Sequence, residues 1–294
     1  MNLCSMRLLN SLLKKSCVVI MIMALCILCG CAATESRSEY GIFIGVDPDD
    51  LPEDMKDYDI IVIDAQNFTR GQIQKFKNNG QKVYSYINAG SIEKTRSYYG
   101  KYADLPLDPY ENWDEEYWVD VSSEKWQDFI SYDISQKLLD KDIDGFFVDN
   151  IDIYYQYPRP EIYNGLCNIL NNLMDYDKPV IVNGGDVFVS EYISRNGNIK
   201  DILTGINQET VFSKINFDQE KFEKNDEDTI EYFKKYIAEC KSNGLDVYIT
   251  EYTTDKKLIR QIKDYCKENG FHYYISDSIQ LDRKSTRQNS SHNT

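Results

Sequence analysis

Histidine is almost missing. The chain has two, His272 and His292, and the second lies in a C-terminal stretch, "RKSTRQNSSHNT" (283–294), without an apolar residue. A Ser-His-Asp triad or a histidine-based zinc site has little to be built from. Chemistry must therefore run on carboxylates, tyrosines or amides. Usable cysteine is scarce too. Of eight, Cys4, Cys17, Cys26, Cys29 and Cys31 fall in the first 31 residues, leaving Cys167, Cys240 and Cys266 on expected helices. Three scattered cysteines make no disulfide framework and read as small buried hydrophobes.

Positive charge is the third shortage. Lys and Arg number 33 against 48 Asp and Glu, a net charge of −15. Six of those cations (Arg7, Lys14, Lys15, Arg283, Lys284, Arg287) lie at the two ends. Without them the remainder stands at −21. Nucleic-acid binders carry basic patches, so no nucleic-acid partner is expected. An acidic cleft would instead gather cations, although solubility alone accounts for such a charge. Two motifs are also absent. No D-x-D-x-D-G loop supports a Ca²⁺ site, although Asp64, Asp149 and Asp152 are oxygen ligands of the right kind. No Gly-rich phosphate turn follows the first strand. Neither a metal nor a cofactor is expected.

The N-terminus carries an export pattern. Arg7, Lys14 and Lys15 precede the apolar run "CVVIMIMALCIL" (17–28), which is short for a bilayer span. It ends in "LCGC", which resembles the lipobox of bacterial lipoproteins and implies lipidation of Cys31. Simple cleavage near "CAA" and an uncleaved anchor are the alternatives. The expected organisation is a signal peptide (1–31), a polar tether (32–39), one domain (40–282) and a disordered or non-native tail (283–294). The expected place is outside the cytoplasm, on a bacterial membrane through the lipid.

Within the domain, strands and helices alternate. Strand candidates are "YGIFIG" (40–45), "DIIVIDA" (59–65), "KVYSYINAG" (82–90), "DGFFVD" (144–149), "KPVIVNGG" (178–185), "ILTGINQE" (202–209), "DVYITEY" (246–252) and "HYYISD" (272–277). Helical spacing links Trp126, Phe129, Ile130, Ile134 and Leu138 after a Ser123 cap. It also links Ile162 to Leu173, Ile230 to Cys240 (with Phe233 between) and Leu258 to Cys266. Eight such strands predict an α/β fold, a single-domain (β/α)₈ TIM barrel, with an open doubly wound sheet as competitor. The first crossover, 46–58, is only weakly helical.

Polar residues gather at strand ends: Asp64, Asn88, Asp149, Asn183, Glu209, Glu251 and Asp277. In such barrels this is the active-site face. Alternation adds that if Asp149 points inward, so do Phe147 and Gly145, and if Glu209 does, so do Asn207 and Gly205. A glycine low on each strand and an acid at its top predict an internal cavity.

Several stretches resemble glycoside hydrolase family 114, the endo-α-1,4-polygalactosaminidases. They are "IIVIDAQ" (60–66), "KVYSYINAGSIEKTRSYY" (82–99), "YWVDVSSEKW" (117–126), "DGFFVDNIDIY" (144–154), "VIVNGG" (180–185) and "GINQETVF" (205–212). The resemblance implies a (β/α)₈ barrel that cuts α-1,4-linked galactosamine polymers with two acids, here Asp149 ending strand four and Glu209 ending strand six. Gln208 before the acid departs from the family's usual hydrophobic residue.

Glycoside cleavage needs one protonated and one ionised carboxyl. Asp149 has polar neighbours in Asn150 and Asp152, whereas Val211 and Phe212 follow Glu209 as an apolar flank. The expected roles are Asp149 as nucleophile or base and Glu209 as acid. Tyr86, Trp118 and Tyr252 are expected to stack on sugar rings. Asp64, Asn88, Asn183 and Gln208 are expected to bind hydroxyls. Asp120 and Asp152 are candidates to hold a cationic amino group, Asp152 alternatively being a helix cap. Glu93 and Arg96 are candidate contacts or simply a pair across one turn. The expected partners are a polysaccharide and a membrane. The rival reading is a carbohydrate-binding lipoprotein with an inactive site.

Overall fold

The computed structural model describes residues 38–111, 113 and 115–281. The expected signal peptide with Cys31, the expected tail and most of the expected tether lie outside the described residues.

Parallel strands covered on both faces must be apolar almost throughout. The runs "IIVI", "GFFV" and "VIV" meet that demand and become barrel staves. The eight are β1 (Ser38–Phe43), β2 (Tyr58–Ile63), β3 (Lys82–Asn88), β4 (Gly145–Asp149), β5 (Val180–Asn183), β6 (Gly205–Glu209), β7 (Asp246–Tyr252) and β8 (His272–Ser276). They form one parallel sheet in sequential order. β1 starts two residues earlier than expected, inside the tether. β1 and β8 lie side by side and are joined by side chains. His272 Nδ1 meets Glu39 Oε2 at 2.8 Å, and the Phe43 and Tyr274 rings lie 5.6 Å apart. The result is a nearly closed (β/α)₈ barrel.

The outer layer holds α1 (Arg70–Asn78), α2 (Glu124–Asp128 continuing through Phe129–Ile134 to Ser135–Leu139), α3 (Pro160–Met174), α4 (Asp186–Asn196), α5 (Glu227–Ser242) and α6 (Lys256–Asn269). Thr69 and Gln72 form a capping box at α1, and Asp226 and Asp255 cap α5 and α6. Ser123 occupies the N-cap position of α2, but its side chain makes no capping bond. The middle of α2 is a wide π turn, where the Ser135 hydroxyl donates to the Ile130 carbonyl at 2.5 Å. The first crossover holds only a single 3₁₀ turn, Glu53–Asp57. Ile162, Leu166, Ile169, Leu170 and Leu173 of α3 are fully buried. Each contributes roughly 1.5–3 kcal/mol relative to exposure. Cys167, Cys240 and Cys266 are free thiols.

Two insertions were not foreseen. Between β3 and β4, the strands Ser91–Glu93, Pro106–Pro109 and Glu116–Val119 make a small antiparallel sheet. Between β6 and β7, Ser213–Asn216 pairs with Lys221–Lys224 as a hairpin. Both follow the C-terminal ends of their strands and build up the mouth.

The barrel's lower interior is filled rather than hollow. A Cβ at Gly145 would lie 2.9 Å from the Tyr84 ring, and one at Gly205 would lie 3.3 Å from that of Tyr248. Tyr40 packs on Tyr248 at 4.6 Å. The two glycines make room for tyrosines. The expected internal cavity is thus confined to the space above the rings, and the glycines do not extend it downward.

Candidate active site

That space is a cleft of about 470 Å³ at the C-terminal mouth. Asp149 and Glu209 both line it, at the ends of β4 and β6. Between them stands Asn183, at the end of β5. Its Nδ2 donates to Asp149 Oδ1 and to Glu209 Oε1, both at 2.8 Å. Those two oxygens are therefore at most 5.6 Å apart, the sum of the two bonds.

Asn183 is itself aimed. Asn207 Nδ2 donates to Asn183 Oδ1 at 2.6 Å, which leaves the Asn183 nitrogen facing the acids. Asn207 is fixed in turn by Thr250 Oγ1 at 2.9 Å and Tyr40 Oη at 3.3 Å, both donating to its Oδ1. Asn207 and Tyr40 are fully buried in the barrel. Strand register sets this relay, with Asn183 beside Asn207 on β6.

Both acids sit just before a backbone reversal. Asn150 has φ +62° and Thr210 has φ +54°. The left-handed region suits Asn but costs a β-branched Thr. The Thr210 turn is held by its N–H to Thr250 O at 2.9 Å and by Asn225 Nδ2 to its carbonyl at 2.7 Å.

Burial governs the electrostatics. It pushes Asp149 up to about 7, helped by repulsion from Glu209 and opposed by the Asn183 hydrogen bond. Burial also raises Glu209, against the hydrogen bonds from Tyr252 and Asn183. Two acids this close titrate as a pair, and one proton stays between them near neutrality. Their partners differ in kind. Asp149 accepts from the Asn183 amide and the Asn150 backbone N–H, which are donors only. Glu209 Oε2 faces the Tyr252 hydroxyl at 2.7 Å, which can donate or accept. Burial and the nearby Glu209 thus favour a proton on Asp149, whereas its hydrogen-bond partners, all donors, favour its ionised form; Glu209 is accommodated in either state. The apolar flank expected for Glu209 serves another residue. Phe212 and Ser213 donate their N–H groups to the buried Glu251 carboxylate, both at 2.8 Å.

Of the expected contact residues, Asp64, Tyr86, Glu93, Arg96, Asp152, Asn183, Gln208 and Tyr252 line the cleft. Glu93 and Arg96 do pair, and Arg96 Nη1 also reaches Asp64 Oδ2 at 2.6 Å. Asp152 does not cap its own helical turn. Its Oδ1 accepts from Gly185 N at 3.0 Å, and its carboxylate lies so close to Gly184 that a Cβ there would be 2.1 Å away. Burial raises Asp152 to about 6. Gln208 Nε2 donates to the Glu209 carbonyl, leaving its buried Oε1 without a partner among the described residues.

Five expectations are corrected. Asn88 lies beneath the cleft, where it donates to Ser91 and Glu116 and accepts from Asn150. Trp118 stands behind Tyr110, with ring centroids 4.3 Å apart, and Tyr110 takes the cleft position. Asp120 folds into its own loop and accepts from both the N–H and hydroxyl of Ser122. Glu251 holds loop backbone, as described above, and Asp277 is exposed outside the cleft lining.

Other lining residues had no clear signal in the sequence. Glu116 comes from the unforeseen sheet, Tyr110 and Trp113 from the segment between its strands Pro106–Pro109 and Glu116–Val119, and Asp186 opens α4. Phe233, read as a core position of α5, turns partly to the cleft. Glu116 Oε1 collects the Asn88 and Asn150 amides and the Ser91 hydroxyl, and burial raises its pKa. In all, seven carboxylates (Asp64, Glu93, Glu116, Asp149, Asp152, Asp186, Glu209) face one cation, Arg96. Such a cleft concentrates positive charge.

Among solved structures, the glycoside hydrolase domain of PelA from Pseudomonas aeruginosa superposes with a TM-score of 0.69 at 12% identity, over 84% of this chain and 96% of that one. Aspergillus fumigatus Ega3, solved in complex with galactosamine, gives 0.65 at 18% identity, over 84% and 93%. No curated protein matches. At these identities the structures show a shared fold. Residues 32–291 match the glycoside-hydrolase family GH114, and the chain belongs to that family of glycoside hydrolases.

Proposed function

We propose that the protein hydrolyses an α-1,4-linked, galactosamine-containing polysaccharide whose free amines are cationic, using Asp149 and Glu209. The observation that carries this reading is the single Asn183 amide donating to both carboxyls. It keeps the two accepting oxygens within 5.6 Å, which supports the retaining spacing of roughly 5–5.5 Å over the wider inverting one of about 6.5–9.5 Å. Asp149, held by donors alone, attacks the anomeric carbon. Glu209, beside the ambivalent Tyr252 hydroxyl, gives its proton to the leaving glycosidic oxygen. Glu209 then takes a proton from the water that displaces Asp149. The seven-to-one excess of acids favours a chain of ammonium-bearing sugars over a neutral one. The likeness to Ega3, bound to galactosamine, supports the same substrate class.

The test is reducing-end release from α-1,4-galactosamine oligomers. Asp149→Asn and Glu209→Gln should each lower kcat by several orders of magnitude, and unchanged release by both would refute the pair. Azide separates the roles. With Asp149→Gly it should yield a glycosyl azide of inverted configuration, and with Glu209→Gly one of retained configuration.

The basic n-region, apolar run and "LCGC" support a further proposal, lipid anchoring at Cys31 on the outer membrane face. Cys31→Ala should then move the protein from the detergent to the aqueous phase on Triton X-114 partition.

A further inference from the structure

Large apolar side chains are rarely exposed without reason when they cluster. Among the described residues four are exposed: Trp113, Tyr132, Tyr155 and Tyr232. Three of the four belong to the cleft or its border. Trp113 lines it directly. Tyr155, 68% exposed, stands on the turn Ile153–Gln156 that follows the cleft residue Asp152. Tyr232, 52% exposed, stands on α5 beside the cleft residue Phe233.

Tyr232 is not a loose surface ring. Its hydroxyl donates to Asp186 Oδ2, and its ring makes a T-shaped contact with Phe233 at 5.2 Å and 74°. Asp186 and Phe233 both line the cleft, so the ring is tied to that wall at two points. The Tyr155 turn packs on α4, which begins with Asp186, and α4 packs on α5. Tyr155 also helps push the Tyr232 phenol up to about 12, behind burial and Asp186, as a near neighbour would. On the same turn Tyr154 is buried and donates to Glu191. The adjacent tyrosines thus divide their work, one packing inward and the other facing out.

We propose that Tyr155 and Tyr232, joined to the cleft through Asp186 and Phe233, form a distal subsite that carries the continuation of an amino-sugar chain beyond the acid pair. The occupant follows from continuity and charge. The shelf begins where the cleft wall ends, and its polar anchor is a carboxylate. Pyranose rings offer flat C–H faces to aromatic rings, and their ammonium groups match Asp186. A ring already held at two points loses little freedom on binding. Occupation would let the enzyme grip a polymer along its length and cut internally. The chemical class of occupant rests on the reading given under Proposed function.

The experiment compares wild type with the double variant Tyr155→Ala/Tyr232→Ala on de-N-acetylated α-1,4-galactosamine oligomers of increasing length. In the wild type KM should fall with length until the shelf is covered. In the variant that fall should be lost, with KM for long oligomers raised roughly tenfold, the worth of one to two stacked rings. Its kcat on the shortest cleaved oligomer should stay within about twofold of wild type. A variant that keeps the wild-type dependence on length overturns the subsite. If wild type cleaves no oligomer, the catalytic reading fails and the shelf is judged by calorimetric titration with the same oligomers. There, affinity rising with length in wild type alone supports it. Equal or absent length dependence in both proteins overturns it.

Discussion

One amide nitrogen serving two carboxyls is a demanding arrangement, because each hydrogen must find its own acceptor. Asn183 meets it only because Asn207 takes up its oxygen and is itself pinned by Thr250 and Tyr40. Replacing Asn183 by Asp would set a third carboxyl against the pair. We expect Asn183→Asp to lower kcat by about 10²–10³ and to move the pH–rate profile upward, because like charge raises carboxyl pKa values. Asn207→Ala, which frees the Asn183 amide to turn, should lower kcat with little change in KM. Steady-state kinetics across pH checks both. At this scale the sequence was only partly legible. Asp149, Glu209 and Asn183 stood out because strand ends in a barrel converge. Asn207 appeared only as an inward position, since nothing in a linear sequence gives the direction of an amide.

At the scale of elements, the approach of one loop to another decides the geometry. The turn after β3 runs against the reversal after Asp149, where Ala89 and Gly90 both donate N–H groups to the Asp149 carbonyl. A Cβ at Gly90 would lie 1.7 Å from Asn150 O, which no side chain tolerates. Gly90→Ala must therefore displace either the turn after β3 or Asn150, the residue after Asp149. The expected result is a loss of about 2–4 kcal/mol in denaturant unfolding, together with a drop in kcat beyond the loss of folded protein. Ser85→Ala on the same strand serves as control. All eight staves were legible, because strands buried on both faces print themselves as apolar runs. The insertions were not. Pro106–Pro109 and Glu116–Val119 are short, half-exposed and set among polar residues, so their pairing is a tertiary fact. Trp118 and Asp120 were misjudged for that reason. Which side of a strand faces the cleft cannot be read before the strand itself is recognised.

For the whole molecule, the acids that make the site also tax the fold. Asp149, Asp152 and Glu251 are raised by burial to about 7, 6 and 7. In the unfolded chain such groups titrate near about 4. Between those values the folded state binds more protons than the unfolded one. Their contribution is fully present below about pH 4 and is lost as pH rises through 6 and 7. The melting temperature should therefore fall from pH 5 to pH 8. Asp149→Asn, which removes one of these protons from the balance, should flatten that fall and melt higher than wild type at pH 8. Calorimetry across pH decides it, and a wild-type curve rising over this window would contradict it. The overall charge allowed an acidic cleft, but solubility alone accounted for it and nothing in it located one. Only the nearly closed ring of strands brings residues as distant as Asp64 and Glu209 to one cleft.

The three tryptophans divide sharply. Trp126 is sealed in the core with its indole N–H on the Ala89 carbonyl, Trp118 is hidden behind Tyr110, and Trp113 alone is open at the cleft. In optical terms the molecule carries its own reporter. A neutral quencher such as acrylamide reaches one indole in three, and that indole stands where a sugar chain would lie. Occupation of the cleft is thereby written into the protein's own emission, with no label attached.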